Sequence, residues 1–384
     1  MNFAQRASIQ ESDTLRINAL ATAKRSRGER VYNLSVGEPL VSLSAHIIEA
    51  ADAAMRRGDT RYPPVNGIPT LREAACVWMN SAYYTDYTSS QCLVTAGGKF
   101  ALFALFGALI NPWDEVLVIA PYWVSYPPMI SFFGGVPKVV QTQYEQQWKV
   151  SVALLEAQRS EKTKMLVFNN ASNPTGVLYS RQEIQEILAW AQAHDIFVVS
   201  DEVYSGLVYD GGEYVSCGSF PEHKESVAVV QSVSKNFGMT GLRVGFLFAS
   251  EDIIRTCGTI QGQSTSGPSI VSQYAALAAC EHADEISGYI RSEMHQRRDV
   301  LVSSFEKHDV VIPMPQSALY AFVPLSSFGV ADMTSVGFCE KMLEEKGVAM
   351  VSGSAFGVEG YVRLSFGGTD ADLRGGIELL CNRD

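Results

Sequence analysis

Between about residues 44 and 249 the chain alternates two hydrophobic signatures. Short, nearly continuous apolar runs at 92–96, 115–120 (EVLVIA), 137–142, 164–170, 196–200, 227–231 and 243–249 predict strands. Several lack the polar residue at every second position that marks a half-exposed strand. Runs apolar on both faces belong to a mainly parallel sheet covered by helices. The segments between them carry the helical period. Residues 181–194 put Ile184, Ile187, Leu188 and Ala191 on one face, behind a capping box of Ser180 and Glu183. Residues 100–110 are apolar nearly all round and predict a helix set deep in the core. The fold class this implies is α/β, a seven-stranded, mainly parallel sheet with ligands at the carboxyl ends of its strands.

After about residue 288 the pattern changes. A long polar helix at 289–307 leads to a strand at 318–323, a helix at 335–346, a strand at 361–366 and a last helix from Asp370. The expected organisation is an N-terminal arm and part of a small domain (1–44), a large α/β domain (45–287) and a small α+β domain (288–384). Internal repeats and low-complexity tracts are absent from the sequence.

Composition narrows the function classes. A chain of 384 residues exceeds one ordinary core. A net charge of −11, with no local basic cluster, argues against a nucleic-acid binder. Residues 1–33 hold no apolar signal-like core, and the run at 100–110 is too short to span a bilayer. Seven cysteines without a CxxC pair fit reduced thiols in a cytoplasmic protein and argue against a metal site.

Chemistry gathers where the strands end. After the run at 227–231 comes Gln231-Ser232-Val233-Ser234-Lys235, then Gly238-Met239-Thr240-Gly241-Leu242-Arg243. A lysine there can form an imine with an aldehyde, and the hydroxyls with Arg243 can hold a phosphate. Those are the two demands that pyridoxal 5'-phosphate makes of a protein. A lysine among serines is more often a solvated loop residue, so the segment alone does not decide the matter. Gly97-Gly98-Lys99 opens a helix whose exposed N–H groups and dipole suit a phosphate, although a glycine pair is more often a tight turn. Pro121-Tyr122-Trp123-Val124-Ser125-Tyr126-Pro127 follows EVLVIA and puts an aromatic where it can stack on a flat ring, or simply pack. In Asn169-Asn170-Ala171-Ser172-Asn173-Pro174-Thr175-Gly176 a turn presents Asn173 at the sheet edge. Ser200-Asp201-Glu202-Val203-Tyr204 ends a buried strand in an acid, which is costly without a partner. A protonated pyridine nitrogen would serve: at ~4 Å and an effective dielectric of about 20 the attraction is about 4 kcal/mol. Tyr204 can reach the oxygen of the same ring. One cluster per strand tip, they converge on one ligand.

These stretches, in this order, resemble the class I aminotransferases of pyridoxal-phosphate fold type I, most closely the bacterial aspartate aminotransferase branch. The likeness extends to Ser35-Val36-Gly37-Glu38-Pro39, Thr60-Arg61-Tyr62-Pro63-Pro64-Val65-Asn66-Gly67-Ile68-Pro69, Leu71-Arg72-Glu73, Gln263-Ser264-Thr265-Ser266 and Val362-Arg363-Leu364-Ser365, covering about residues 12 to 380. The resemblance implies that Lys235 forms the aldimine and, once freed, moves a proton between substrate Cα and cofactor C4′. It implies Asp201 on the ring nitrogen, Tyr204 on the ring oxygen, and Asn173 on that oxygen and the substrate α-carboxylate. Trp123 would stack on the ring and border the substrate. Gly97, Gly98, Lys99, Ser232 or Ser234, and Arg243 would surround the phosphate. Tyr62 would reach the phosphate of a neighbouring subunit, making a homodimer part of the site. Arg363 would grip the α-carboxylate as a bidentate fork, with the Gly37 backbone closing over it.

The expected reaction exchanges an amino group between an amino acid, aspartate or glutamate, and a 2-oxo acid such as 2-oxoglutarate. Lys99 supplies the physical ground for an acidic substrate, since its side chain can meet a second carboxylate; it can equally serve only the phosphate. The sequence departs from the branch at Leu40-Val41-Ser42-Leu43-Ser44, where an acidic DFDTP-like stretch is common, at Gln231-Ser232 in place of Asn-Gly, and at Ser317-Ala318-Leu319-Tyr320, which lacks the usual glycine after Ser317. Alternatives on the same fold are an aromatic or neutral donor, a prephenate-type acceptor, or a pyridoxal-phosphate lyase. A ligand-sensing half of a transcription regulator would need an attached DNA-binding domain, and the chain has neither the length nor the basic segment for one.

Overall fold

The central sheet consists of β1 (Cys92–Thr95), β2 (Glu115–Ala120), β3 (Val136–Gln141), β4 (Thr163–Asn169), β5 (Phe197–Asp201), β6 (Val227–Ser232) and β7 (Gly245–Phe248). Their spatial order is β1-β7-β6-β5-β4-β2-β3. All pairings are parallel except those of β7, which runs antiparallel to both β1 and β6. This computed structural model describes residues 4–7, 9, 13–330 and 332–382; residues 1–3, 8, 10–12, 331, 383 and 384, which fall within the ranges read from the sequence, lie outside the described residues.

The direction of β7 decides where the site forms. Six strands (β1 to β6) deliver their carboxyl ends to one edge of the sheet. Because β7 is reversed, its first residue, Gly245, pairs with Ser232 at the end of β6 and with Thr95 at the end of β1. Arg243, two residues before β7, is thereby brought to the edge that carries the lysine segment. It takes a left-handed φ of +53°, which ends the extended conformation and starts the strand later than the apolar run at 243–249 implies.

The inner strands are buried on both faces, as the continuous apolar runs require: every residue of β1, β6 and β7 is buried, whereas the edge strand β3 is mostly half-buried. Helix α1 (Asp13–Ser26), α2 (Ala45–Arg57), α3 (Gly98–Leu109) and α4 (Arg181–Ala193) precede or interleave with the sheet strands. The capping box of α4 forms: Ser180 Oγ accepts from Glu183 N–H at 3.3 Å, and Glu183 Oε2 accepts from Ser180 N–H at 2.7 Å. Helix α5 (Val233–Asn236) carries the lysine, and the long helix α6 (Ala283–Glu306) begins earlier than 289, with Asp284 and Glu285 in a first turn where acids suit the dipole. A second, antiparallel sheet holds β8 (Tyr320–Pro324), β9 (Val351–Ser352) and β10 (Tyr361–Ser365) in the order β9-β10-β8. Strand β8 starts two residues later than its apolar run because Ala318 has φ +60°. Tyr32 and Asn33 pair in parallel with Val348 and Ala349, tying the N-terminal segment to the C-terminal one. Among the described residues, no helix is long and apolar enough to cross a membrane.

Candidate active site

A cavity of about 430 Å³ opens at the strand tips, bounded by the main sheet, the 35–38 segment and the second sheet. Gly37, Gly98, Lys99, Trp123, Asn173, Asp201, Tyr204, Ser232, Ser234, Lys235, Arg243 and Arg363 all line it. Two residues expected from the sequence do not. Gly97 sits behind the wall as the N-cap of α3, with φ +87°. Tyr62 is 93% exposed and outside the cavity of its own chain.

Lys235 lies in the one-turn helix α5, whose N-cap Ser232 accepts from Ser234 N–H at 3.1 Å. Its ammonium donates to the Gly37 carbonyl. Burial pulls its pKa down to about 8 against the pull of Glu38, with Arg243 and Arg363 pushing the same way as burial. Ser232 Oγ shares its one proton between the Val244 carbonyl at 3.0 Å and Ser234 Oγ at 2.9 Å. Ser234 Oγ accepts there, which leaves its own proton to face an incoming anion.

Asp201 closes β5 and is only 4% exposed. Its Oδ2 accepts from the Tyr126 phenol at 2.6 Å, while Oδ1 has no partner. Burial raises its pKa to about 6, against the lowering effect of the Tyr126 hydrogen bond and the Val203 N–H. The neighbouring Glu202 points elsewhere, accepting from Ser200 Oγ and Cys217 N–H at 2.8 and 2.9 Å. Asn169, at the end of β4, clamps the loop that carries Asn173: its Nδ2 donates to the Asp201 carbonyl at 2.8 Å and its Oδ1 accepts from Asn173 N–H at 2.9 Å.

Arg363, on β10, is 2% exposed. It donates to Asn173 Oδ1 at 3.2 Å and to the Ser35 carbonyl at 2.9 Å, and its Nε is buried without a partner. Among the described residues no carboxylate pairs with it. A buried guanidinium held only by neutral groups is costly, and an anion entering the cavity would offset that cost.

The wall at β1 is built for close approach. A Cβ on Gly97 would lie 2.4 Å from Arg243 Nη2, and one on Gly245 would meet Gly98 N at 2.4 Å. No side chain caps the first N–H groups of α3, which leaves them and the helix dipole to an anion. Lys99 is exposed, with Nζ 4.8 Å from the centre of the Trp123 ring.

Sequence reasoning missed Tyr126, Tyr320, Glu38, Asn169 and the α1 residues Thr14 and Asn18, all of which line the cavity. Tyr126 and Asn169 stand inside quoted motifs, and their aromatic or amide character was the available signal. Nothing in the sequence places α1 beside strand tips 80 to 220 residues away. Away from the cavity, His46, His282 and Glu285 bring metal-type ligand atoms within 4.8 Å of one another. The two imidazoles are stacked face to face at 3.8 Å and 7°. An ion lies in the plane of each ring it binds, so these parallel rings do not chelate one as they stand.

A family model described as aminotransferase class I and II matches residues 29–380. The probable aspartate/prephenate aminotransferase of Aquifex aeolicus is 35% identical over 378 residues, 97% of this chain and 95% of that protein. The aspartate aminotransferase of Streptomyces avermitilis is 38% identical over 388 residues, covering 98% and 95%. Among solved structures, the Thermus thermophilus aspartate aminotransferase with maleate superposes with a TM-score of 0.94 at 34% identity, covering 99% of both chains. With a family model matched over residues 29–380, a fold shared over nearly the whole length, and a strand-tip lysine beside a buried acid and a buried arginine that each keep one unpartnered atom, the chain belongs to the class I and II aminotransferases.

Proposed function

We propose that this aminotransferase uses pyridoxal 5'-phosphate held at Lys235 and exchanges the amino group of aspartate or glutamate with a 2-oxo acid. The observation that carries the reading is a pair of unpartnered buried atoms in one cavity, Asp201 Oδ1 and Arg363 Nε. The first is an acceptor suited to a protonated ring nitrogen, the second a donor suited to a carboxylate. The group fits the residues present, since these two atoms, the glycine-lined wall and the free Ser234 hydroxyl answer its ring, its phosphate and its substrate separately.

When bound, the cofactor supplies an aldehyde that bonds to primary amines and a ring that takes up the electron pair left when a Cα–H bond breaks. Asp201, held by Tyr126, keeps the ring nitrogen protonated. Tyr204 and Asn173 address the ring oxygen, and Trp123 covers the ring face. Gly98 and Lys99 present backbone N–H groups, with the Lys99, Ser234 and Arg243 side chains, to the phosphate, while Gly97, whose own N–H donates to the Thr95 carbonyl at 2.7 Å, leaves room for Arg243; Ser232 acts through Ser234. Lys235, with a pKa lowered to about 8, has an appreciable free-base fraction near neutral pH and can take and return the proton at substrate Cα. Arg363 and the Gly37 backbone bind the α-carboxylate. Tyr62, exposed in its own chain, serves the site of a second copy in a homodimer. We place the enzyme in the cytoplasm, on the ground of seven scattered cysteines without a CxxC pair in the sequence.

For the acidic side chain, Lys99 at the rim is the cation we assign to the distal carboxylate, and the dicarboxylate maleate in the Thermus thermophilus structure supports that class of ligand. A second reading is kept open by a relative, the asparagine–oxo-acid transaminase of Streptococcus mutans, 36% identical over 93% of this chain, and by the apolar, exposed Leu40 near the entrance. A stopped-flow panel of aspartate, glutamate, asparagine, alanine and phenylalanine against the loaded enzyme, following cofactor absorbance, separates the two. Aspartate and glutamate should react fastest, and Lys99→Ser should slow these two far more than alanine. A wild-type preference for phenylalanine or asparagine would overturn the acidic assignment.

A further inference from the structure

Tyr320 touches three of the groups assigned above, Tyr204, Gly37 and Arg363. It opens β8, is fully buried, and its hydroxyl stands 2.7 Å from the Tyr204 hydroxyl. The same oxygen lies 3.5 Å from the Gly37 carbonyl, and a Cβ on Gly37 would come within 3.2 Å of it. Its ring carries the Arg363 guanidinium at 4.3 Å from the ring centre, and Phe356 lies against the same guanidinium at 5.1 Å.

We propose that Tyr320 is a positioning residue with two separable duties: its ring fixes the plane of Arg363 for the substrate α-carboxylate, and its hydroxyl directs the proton of Tyr204 toward the cofactor ring oxygen. The proposal rests on the cofactor assignment made above. The first duty follows from packing. With neutral partners at Asn173 and Ser35 only, the guanidinium has no carboxylate to orient it. Two aromatic rings leave it one plane, and cation–π attraction at such a desolvated site adds to the hold.

The second duty follows from counting protons. Each phenol has one. If Tyr204 donates to the ring oxygen, it can only accept from Tyr320, so the Tyr320 proton must point at Tyr204 and not at Gly37. The Gly37 carbonyl gives up little, because its contact with the Tyr320 hydroxyl, at 3.5 Å, is at the limit of hydrogen-bond distance. A phenol that itself accepts a hydrogen bond is a stronger donor. Tyr204 therefore stabilises negative charge on the ring oxygen better with Tyr320 behind it than without.

Two variants of the pyridoxal-phosphate-loaded enzyme separate the duties. Tyr320→Phe keeps the ring and removes the hydroxyl. It should leave KM for both aspartate and alanine within about twofold of wild type. The pH midpoint of the cofactor absorbance change should move upward by at least ~0.3 unit, a twofold change in proton affinity. Tyr320→Leu removes the ring as well, and should raise KM for aspartate and alanine in parallel by about tenfold or more, with a smaller fall in kcat. Unchanged midpoint in the first variant or unchanged KM in the second would overturn the proposal, as would a uniform loss of kcat with neither signature. A wild-type enzyme that binds the cofactor at Lys235 but gives either of these flat results sinks this inference alone; one that does not bind it there sinks the cofactor reading first.

Discussion

Asp201 shows how a single residue ties site chemistry to stability. Its carboxyl is raised to about 6 by burial, above the ordinary value of 3.8, so between those limits the folded chain binds more protons than the unfolded one. Stability of the cofactor-free protein therefore falls as pH rises through that window, and stays lower above pH 6. Asp201→Asn removes the buried charge. The cofactor-free variant should be more stable than wild type by about 2–3 kcal/mol at pH 7, with the difference vanishing below about pH 4. Urea unfolding of both proteins at the two pH values measures this; equal stability at pH 7 would mean that the acid is compensated without a ligand. Loaded with cofactor, the same variant should lose most of its turnover, because an amide does not hold the ring nitrogen protonated. Arg363→Ala should lower kcat/KM for every donor alike, by the roughly 2–5 kcal/mol that removing one partner of a desolvated charge pair costs. A loss confined to acidic donors in kinetic assays would place Arg363 at the side-chain end. Asp201 was legible because it ends an apolar run, and Arg363 because Val362-Arg363-Leu364-Ser365 matches the family's order of motifs. Tyr126 and Tyr320 were not, since a buried phenol is read as packing until its hydroxyl partner is known.

At the scale of elements, the wall formed by the start of α3 and the start of β7 is the most demanding construction. Gly97 and Gly245 look alike in sequence, yet they answer to different neighbours. A methyl group at Gly97 meets the far end of the Arg243 side chain, which can move aside, whereas one at Gly245 meets the backbone of Gly97 and Gly98. Gly97→Ala should fold, at a cost of about 1 kcal/mol for its positive φ, and bind pyridoxal phosphate at least about tenfold more weakly. Gly245→Ala should lower the melting temperature much further. Equal effects of the two on melting temperature would contradict the close packing of the start of α3 against β7. The apolar runs located every strand of the main sheet to within a few residues. They did not disclose that β7 is reversed, because a strand buried on both faces has the same composition in either direction. Arg243 reaches the site through that reversal alone.

For the whole molecule, the shared site proposed for Tyr62 is testable between two copies. Tyr62 is almost fully exposed, and Ile48, Met55 and Val65 are exposed apolar residues on α2 and the segment after it. Such a surface fits burial against a second chain. Tyr62→Ala and Lys235→Ala should each be impaired alone, and mixing them under conditions that exchange subunits should restore activity, because one site of each hybrid then has both residues. No recovery in a mixture shown to contain hybrids would remove Tyr62 from the shared site. The alternation of strands and helices announced the α/β class, and the resemblance announced the family. How α1 and the second sheet close over the strand tips was not legible, since no local pattern encodes contacts between segments hundreds of residues apart. The central claim remains that Lys235 is the cofactor's anchor. Borohydride reduction of the loaded enzyme, followed by proteolysis and mass spectrometry, tests it most directly: the account predicts a reduced pyridoxyl group on the peptide containing Lys235 and on no other, and a label on any other lysine, or none at all, would contradict it.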